Sequence, residues 1–340
     1  MNIPSELIDL LGKPSRVVIV THFKPDADAL GSSLGLSGYL KKKNHSVRVI
    51  TPSDYPDFLN WMPGADDVTM VRKGQPATQQ EADAYIRNAE LIFCLDFSGL
   101  NRIETLEDPV RKSPAYKVMI DHHLEPESFS DFSVWDLRSA STAGLVLRFM
   151  DMMGDGDLVD ASIATCLYAG LMTDTGGFRH NNTTADEFET AARLTRKGAV
   201  PNEIAAKIYD SSTLDRLKLT GHVLCNKLTV LTEFRTAYMT LSKNELENFS
   251  FQTGDTEGLV NYGLSIKGIQ LSVFFIERDD QIKISFRSVG SFSVNEMARK
   301  HFNGGGHRNA AGGSSSESLQ ETVSRFLNIL NEYRDKLLSN

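Results

Sequence analysis

Three apolar runs in the first half of the chain each end on side chains that bind cations. Arg16–Val20 runs into Thr21 and His22, with Asp26 and Asp28 close behind; Leu91–Leu95 runs into Asp96; Tyr116–Ile120 runs into Asp121, His122 and His123. A fourth carboxylate, Asp174, follows the apolar stretch Leu167–Met172 and precedes Gly176 and Gly177. Carboxylates gathered in one place repel, and unaided they would take up protons or separate. Divalent cations remove the conflict, because four carboxylates balance two such ions and neutral imidazoles complete their shells. Mixed histidine and carboxylate donors without thiolate favour Mn²⁺, with Mg²⁺ or Co²⁺ as alternatives and zinc disfavoured. A single aspartate after a strand would be a helix cap, as Asp28 could be for a helix starting at Ala29. A single histidine would be a hydrogen-bonded structural group. Their joint occurrence at three strand ends points instead to a metal site.

The elements carrying these residues follow from the patterning. Arg16–Val20, Ser46–Ile50, Leu91–Leu95 and Tyr116–Ile120 are near-continuous apolar or β-branched runs, the signature of buried parallel strands. Helical patterns lie between and after them at Ala29–Lys42, Gln79–Asn88, Ser141–Met153 and Ser162–Met172. The alternation predicts an α/β fold, a mostly parallel sheet flanked by helices over residues 1–185. In such sheets ligands bind beyond the carboxyl ends of the strands, so the three strand ends should converge. Residues 186–225 read as a helical connector. Residues 226–340 change style and predict a smaller α+β domain. Strands at LTVLT and TAYMTLS precede a helical stretch over Asp255–Tyr262, a hairpin turns at Arg278–Asp280, and a last helix spans Ser316–Leu338.

Composition bounds the partners. With 340 residues, 41% hydrophobic and 24% charged, the chain is an ordinary globular protein large enough for two domains. The net charge of −8 argues against holding long duplex nucleic acid, which needs a basic face. A small anion gripped locally by cations and a few basic side chains is compatible with it. No stretch approaches the roughly 18 apolar residues of a membrane span, so no membrane association is expected. Cys94, Cys166 and Cys225 are dispersed, which fits a cytoplasmic protein without disulfides.

In this order the motifs resemble those of the DHH phosphoesterase superfamily. His22–Asp28 is similar to its first motif, Asp96 to the second, Asp121-His122-His123 to the third and Asp174 to the fourth. Near the C-terminus, Gly304-Gly305-Gly306-His307-Arg308-Asn309-Ala310-Ala311-Gly312 resembles the glycine-rich signature of the associated C-terminal domain. The length and arrangement look like the nanoRNase subgroup, whose members degrade short oligoribonucleotides and remove the 3′-phosphate of phosphoadenosine phosphate (pAp). The resemblance implies that His22, Asp26 and Asp96 hold one metal, and that Asp28, Asp96, His122 and Asp174 hold the other. His123 would then serve the substrate phosphate or the leaving oxygen, with Asp121 orienting the histidine pair. Short single-stranded oligonucleotides and phosphonucleotides are the implied partners, with a homodimer left open. Thr21, Phe23, Lys24 and Ala27 depart from residues common in the family, and none of these changes removes a ligand.

The same site chemistry admits hydrolysis of pApA or cyclic dinucleotides. An inorganic pyrophosphatase is disfavoured by the GGGHRNAAGG signature, and a non-enzymatic nucleotide-binding module by the complete ligand set. For the substrate's other end, Gly304, Gly305 and Gly306 would let backbone amides approach a phosphate, with His307 and Asn309 beside them. Arg287, at the end of KISFR, offers a second phosphate contact. Arg102 and Arg179 lie shortly after Asp96 and Asp174 and are expected to face the phosphate, with His180 as an outer support of the metal site. Ser139–Gly144, which opens a helix, reads equally as a cap or as a phosphate contact.

Overall fold

Alternate residues of the first strands face opposite ways, and both ways are apolar. Val17 and Ile19 join a core with Phe93, Leu30, Phe149 and Leu167, whereas Val18 and Val20 join another with Ile92, Leu100 and Val110. Two buried faces demand a sheet covered on both sides. The computed structural model, which describes residues 3–339, has that sheet in the first of two units that divide between Ser211 and Ser212. Its strands are β1 (Arg16–Thr21), β2 (Ser46–Thr51), β3 (Thr69–Met70), β4 (Leu91–Leu95), β5 (Tyr116–Asp121) and β6 (Phe132–Trp135). They lie in the order β3-β2-β1-β4-β5-β6, every neighbouring pair parallel. The expected α/β architecture is therefore present. The two-residue β3 and four-residue β6 are too short to show a periodicity.

Helices α1 (Ser5–Leu11), α2 (Ala27–Lys42), α3 (Pro76–Asn88), α4 (Glu107–Lys112), α5 (Thr142–Met152) and α6 (Ala161–Asp174) complete the layers. Helices α2 and α6 approach unusually closely. A Cβ on Gly31 would lie 2.4 Å from the Cys166 carbonyl oxygen, and one on Gly35 2.6 Å from the Leu167 side chain. Gly38 meets Ile163 further along, so the two helices run antiparallel. The start of α2, with Asp28, is thereby brought beside the end of α6, with Asp174.

The stretch 186–225 is not a separate connector. Helices α7 (Ala185–Arg196) and α8 (Pro201–Tyr209) bury Leu194, Ile204 and Ile208 in the first unit's core. Helix α9 (Leu214–His222) contributes Leu219 to the second unit. Amphipathic helices bury their apolar stripe against whichever core is nearest, and nothing in their own sequence names that core.

In the second unit, β7 (Thr229–Leu231), β8 (Thr236–Leu241), β9 (Leu271–Glu277), β10 (Ile282–Ser288), β11 (Gly305–Gly306) and β12 (Ala310–Ser315) form a mixed sheet in the order β11-β12-β10-β9-β8-β7. Only the β8–β9 pair is parallel. Helices α10 (Lys243–Asn248), α11 (Asn261–Leu264), α12 (Val294–His301) and α13 (Leu319–Leu338) belong here. Phe275, Phe286, Phe302 and Phe326 fill one face, and Met239, Phe274 and Ile276 the other. The expected helix at Asp255–Tyr262 is mostly turns that end in the four-residue α11. The last helix starts at Leu319 rather than Ser316, because Ser318 caps it and Ser315 still belongs to β12. Among the described residues no helix is long and apolar enough to cross a membrane.

Candidate active site

The strand order reverses between β1 and β4. From β1 the chain builds outward to β2 and β3, then returns to add β4, β5 and β6 on the other side. Connections diverge at such a switch point and leave a crevice beyond the carboxyl ends of the two strands. His22 follows β1 and Asp96 follows β4, so they stand on its two sides.

Asp96 is the hub. It adopts the left-handed region at φ 66°, a strained conformation for a side chain with a Cβ, and its amide is held by the Ile120 carbonyl at 3.1 Å. Its Oδ2 lies 3.5 Å from His22 Nε2 and its Oδ1 3.5 Å from His122 Nε2. Two candidate cation sets share it, His22 with Asp26 and Asp28 with His122, and a further cluster joins it to Asp121 and His123; the atoms of each lie within 4.8 Å of one another. Asp174, at the end of α6, brings Oδ2 to 3.2 Å from His122 Nε2 and extends the second set.

Both histidines are oriented by backbone carbonyls. His22 Nδ1 lies 2.9 Å from the Phe23 carbonyl and His122 Nδ1 3.1 Å from that of Ser139. A carbonyl only accepts, so Nδ1 carries the proton in each ring and Nε2 keeps its lone pair for a cation. His123 is built differently. Its Nδ1 faces Asp121 Oδ1 at 2.7 Å, Asp121 is fully buried, and the Trp135 indole donates to the His123 carbonyl at 2.8 Å. The His123 ring keeps 20% of its surface open to solvent.

The aspartates of the first motif divide their work. Asp26 is the cap of α2, its Oδ1 accepting the amides of Asp28 and Ala29 at 3.0 Å. The capping role considered for Asp28 thus belongs to Asp26. Asp28 points instead at the start of α5, where Thr142 donates its amide at 2.7 Å and Ala143 at 2.9 Å. This also decides the reading of Ser139–Gly144. Ser141 caps the helix by accepting the Gly144 amide at 3.0 Å and the amides of Thr142 and Ala143 serve Asp28, so the segment caps α5 and supports Asp28.

The electrostatics call for positive charge. Burial, together with Asp96 and Asp174, pushes Asp28 well above the usual carboxylate range, and burial and Asp96 also raise Asp26. Burial would raise Asp96 too, yet hydrogen bonds from His122 and His22 hold it well below that range. Burial should depress His122, but Asp174 and Asp96 raise it well above the ordinary imidazole value. These opposed shifts mark a cluster of buried carboxylates that positive charge would relieve, and the residues present fit divalent cations.

The other expected residues lie around the rim or in the second unit. Arg102 is exposed on a 3₁₀ segment, and its carbonyl accepts the Phe23 amide at 2.8 Å, which fixes it beside the His22 loop. Arg179 donates to the Gly176 carbonyl at 2.8 Å, and His180 Nδ1 lies 3.4 Å from the Asp174 carbonyl. In the second unit Arg287 on β10 pairs with Ala310, next to Asn309. Asn309 Nδ2 donates to Ser288 Oγ at 2.9 Å and to the carbonyls of Gly290 and Phe292 at 3.1 and 3.2 Å, so its amide group braces this loop. A Cβ on Gly304 would lie 2.0 Å from the Gly312 carbonyl oxygen and one on Gly306 2.6 Å from that of Ala310. Those glycines are required by β-strand packing, whereas Gly305 has no neighbour closer than 3.8 Å. The His307 amide donates to the Ala310 carbonyl at 2.7 Å.

Thr142 and Ser139, within the helix-opening segment, also support the site, as do Trp135 and Gly170, which no motif marks in the sequence. Gly170 has the sharpest consequence. A Cβ there would lie 2.6 Å from Asp28 Oδ1 and 2.8 Å from the Ala143 Cβ. Gly170→Ala is expected to displace the carboxylate and weaken Mn²⁺ binding by about 10–100-fold, as loss of an outer support typically does. Metal titration of the purified variant checks this; parent-like affinity would mean that the contact relaxes without moving Asp28.

Known proteins are similar to this chain in sequence and fold. A family model described as the DHH family, N-terminal domain, matches residues 16–171, and one described as the DHHA1 domain matches residues 235–335. The chain is 30% identical over 336 residues to the bifunctional oligoribonuclease and PAP phosphatase NrnA of Thermus thermophilus, covering 98% of this chain and 94% of that protein. It is 28% identical over 311 residues to the protein of the same name in Bacillus subtilis, covering 91% and 92%. The crystal structure of an exopolyphosphatase-related protein from Bacteroides fragilis matches with a TM-score of 0.91 at 40% identity, over 98% of both chains.

Proposed function

Because this chain belongs to the DHH family of phosphoesterases, we propose that it hydrolyses phosphoester bonds in short oligonucleotides and removes the 3′-phosphate of pAp. The observation that carries this reading is Asp96, with one carboxylate oxygen toward His22 and the other toward His122. His22, Asp26 and Asp96 would hold one divalent cation, and Asp28, Asp96, His122 and Asp174 the second. Mn²⁺ suits this donor set best. Bound cations would neutralise charge at the phosphoryl oxygens and lower the pKa of water toward neutrality.

The chain's own groups do the rest. Asp121 fixes the His123 ring through Nδ1, so Nε2 is the atom that holds a proton for the departing oxygen. Burial keeps Asp28, Asp96 and His122 away from bulk water, which strengthens every charge interaction there. Arg287 and His307 are the proposed grip on the substrate's second anionic group.

This grip is tested by variants that leave the metal donors intact. Arg287→Ala and His307→Ala are expected to retain parent metal content and to lose activity on pAp and on dinucleotides, by about 10-fold or more for a lost charge-assisted contact. The small ester bis-p-nitrophenyl phosphate, which lacks the second anchor, should be cleaved nearly as before, because remote binding energy positions only substrates that have it. Parent-like cleavage of pAp and dinucleotides by both variants would remove the grip from the account.

A further inference from the structure

We propose that Thr142 is the positioning residue of the cation site, locking the shared carboxylate Asp96 and the neighbouring Asp28 into one frame; this rests on the two-cation reading above. Thr142 is the first residue of α5 and is fully buried. Its hydroxyl donates to Asp96 Oδ1 at 2.7 Å, while its amide donates to Asp28 Oδ2 at 2.7 Å. A single residue thus reaches the carboxylate common to both donor sets and one belonging only to the second.

The need for such a clamp is visible in Asp96. A non-glycine residue in the left-handed region is held there by its surroundings, and its side chain must still be aimed at two imidazoles at once. The Thr142 hydroxyl supplies that aim. It occupies one lone pair of Oδ1 and leaves the oxygen's other side toward His122 Nε2, with Oδ2 facing His22. The threonine is itself rigid, because its amide and that of Ala143 both end on Asp28 and Ser141 caps the same turn. A β-branched side chain at a helix start has few rotamers to choose from. The start of α5 therefore works as a template that holds two mutually repelling carboxylates in ligating geometry, and its dipole offsets part of their charge.

The experiment uses Mn²⁺ alone, with no substrate. Thr142→Val keeps the shape and removes only the donor. We expect it to fold as the parent does, to bind Mn²⁺ about 10–100-fold more weakly, and to lose the magnetic-resonance signature of a coupled Mn²⁺ pair. Thr142→Ser, which retains the hydroxyl, should restore both. A purely structural role would not distinguish Ser from Val in the coupled signal. If Thr142→Val loses its fold, Thr142→Ala carries the same measurement without any packing change from an added methyl. Parent affinity and a parent coupled signal in either folded variant overturn the proposal. A parent protein that binds no Mn²⁺ would instead overturn the two-cation reading on which it rests.

Discussion

Replacing Asp96 by alanine is expected to lower kcat/KM on pAp and on dinucleotides by more than about 10⁴-fold, well beyond the 10–100-fold cost of losing an outer partner. The reason is its double duty. Each of its oxygens faces a different imidazole, so the substitution removes a donor from both sets at once. It also leaves the Nε2 atoms of His22 and His122 without the carboxylate that lies between them. Bound metal per chain should fall below two, measured by elemental analysis after gel filtration. A variant that keeps two tightly bound ions and near-parent turnover would contradict the assignment of Asp96 as the shared ligand.

The second large effect belongs to His123. His123→Ala should keep full metal content, because its Nδ1 is committed to Asp121 and both donor sets form without it. Its turnover should fall by about 10²–10⁴-fold, the usual contribution of a positioned proton donor. The loss should shrink for esters with acidic leaving groups, which depart without a proton. Rates on a series of aryl phosphodiesters test this directly. An equal loss across that series, or a loss of metal, would place His123 among the ligands instead.

Much of this site is legible in the amino-acid sequence. The buried strands β1, β4 and β5 announce themselves as continuous apolar runs, and polar groups at their ends must lie along one rim of a parallel sheet. Chain order then places His22, Asp96 and His122 together, as the fold does. The division of labour between like residues is not legible in the same way. Asp26 and Asp28 are two residues apart and chemically identical, and only the arrival of α5 decides that Asp26 caps while Asp28 accepts the Thr142 and Ala143 amides. Thr142 itself sits among small residues that any helix start could carry, and its contact with Asp96 spans 46 positions of sequence.

The glycine run near the C-terminus teaches the converse. Gly304 and Gly306 can be read as room for a phosphate, yet each has a carbonyl oxygen where a Cβ would go. Packing accounts for the absent Cβ at both, whereas at Gly305 a Cβ would meet only ordinary contacts at 3.8 Å. The Asn309 side-chain nitrogen likewise donates within its own loop, to Ser288, Gly290 and Phe292. Helices 186–225 read as a connector because amphipathic periodicity reveals that a face is buried without revealing against what.

The measurement that bears most directly on the whole account is product analysis of the purified, chelator-stripped protein given back Mn²⁺. Incubated with pAp, a labelled dinucleotide and a long duplex, it should release AMP and phosphate from the first, mononucleotides from the second, and nothing from the third. Omitting the metal should abolish both activities together, since one cation site serves both. Turnover of pAp and dinucleotide without divalent metal, or turnover of neither with it, would contradict the reading of this cluster as a two-cation phosphoesterase.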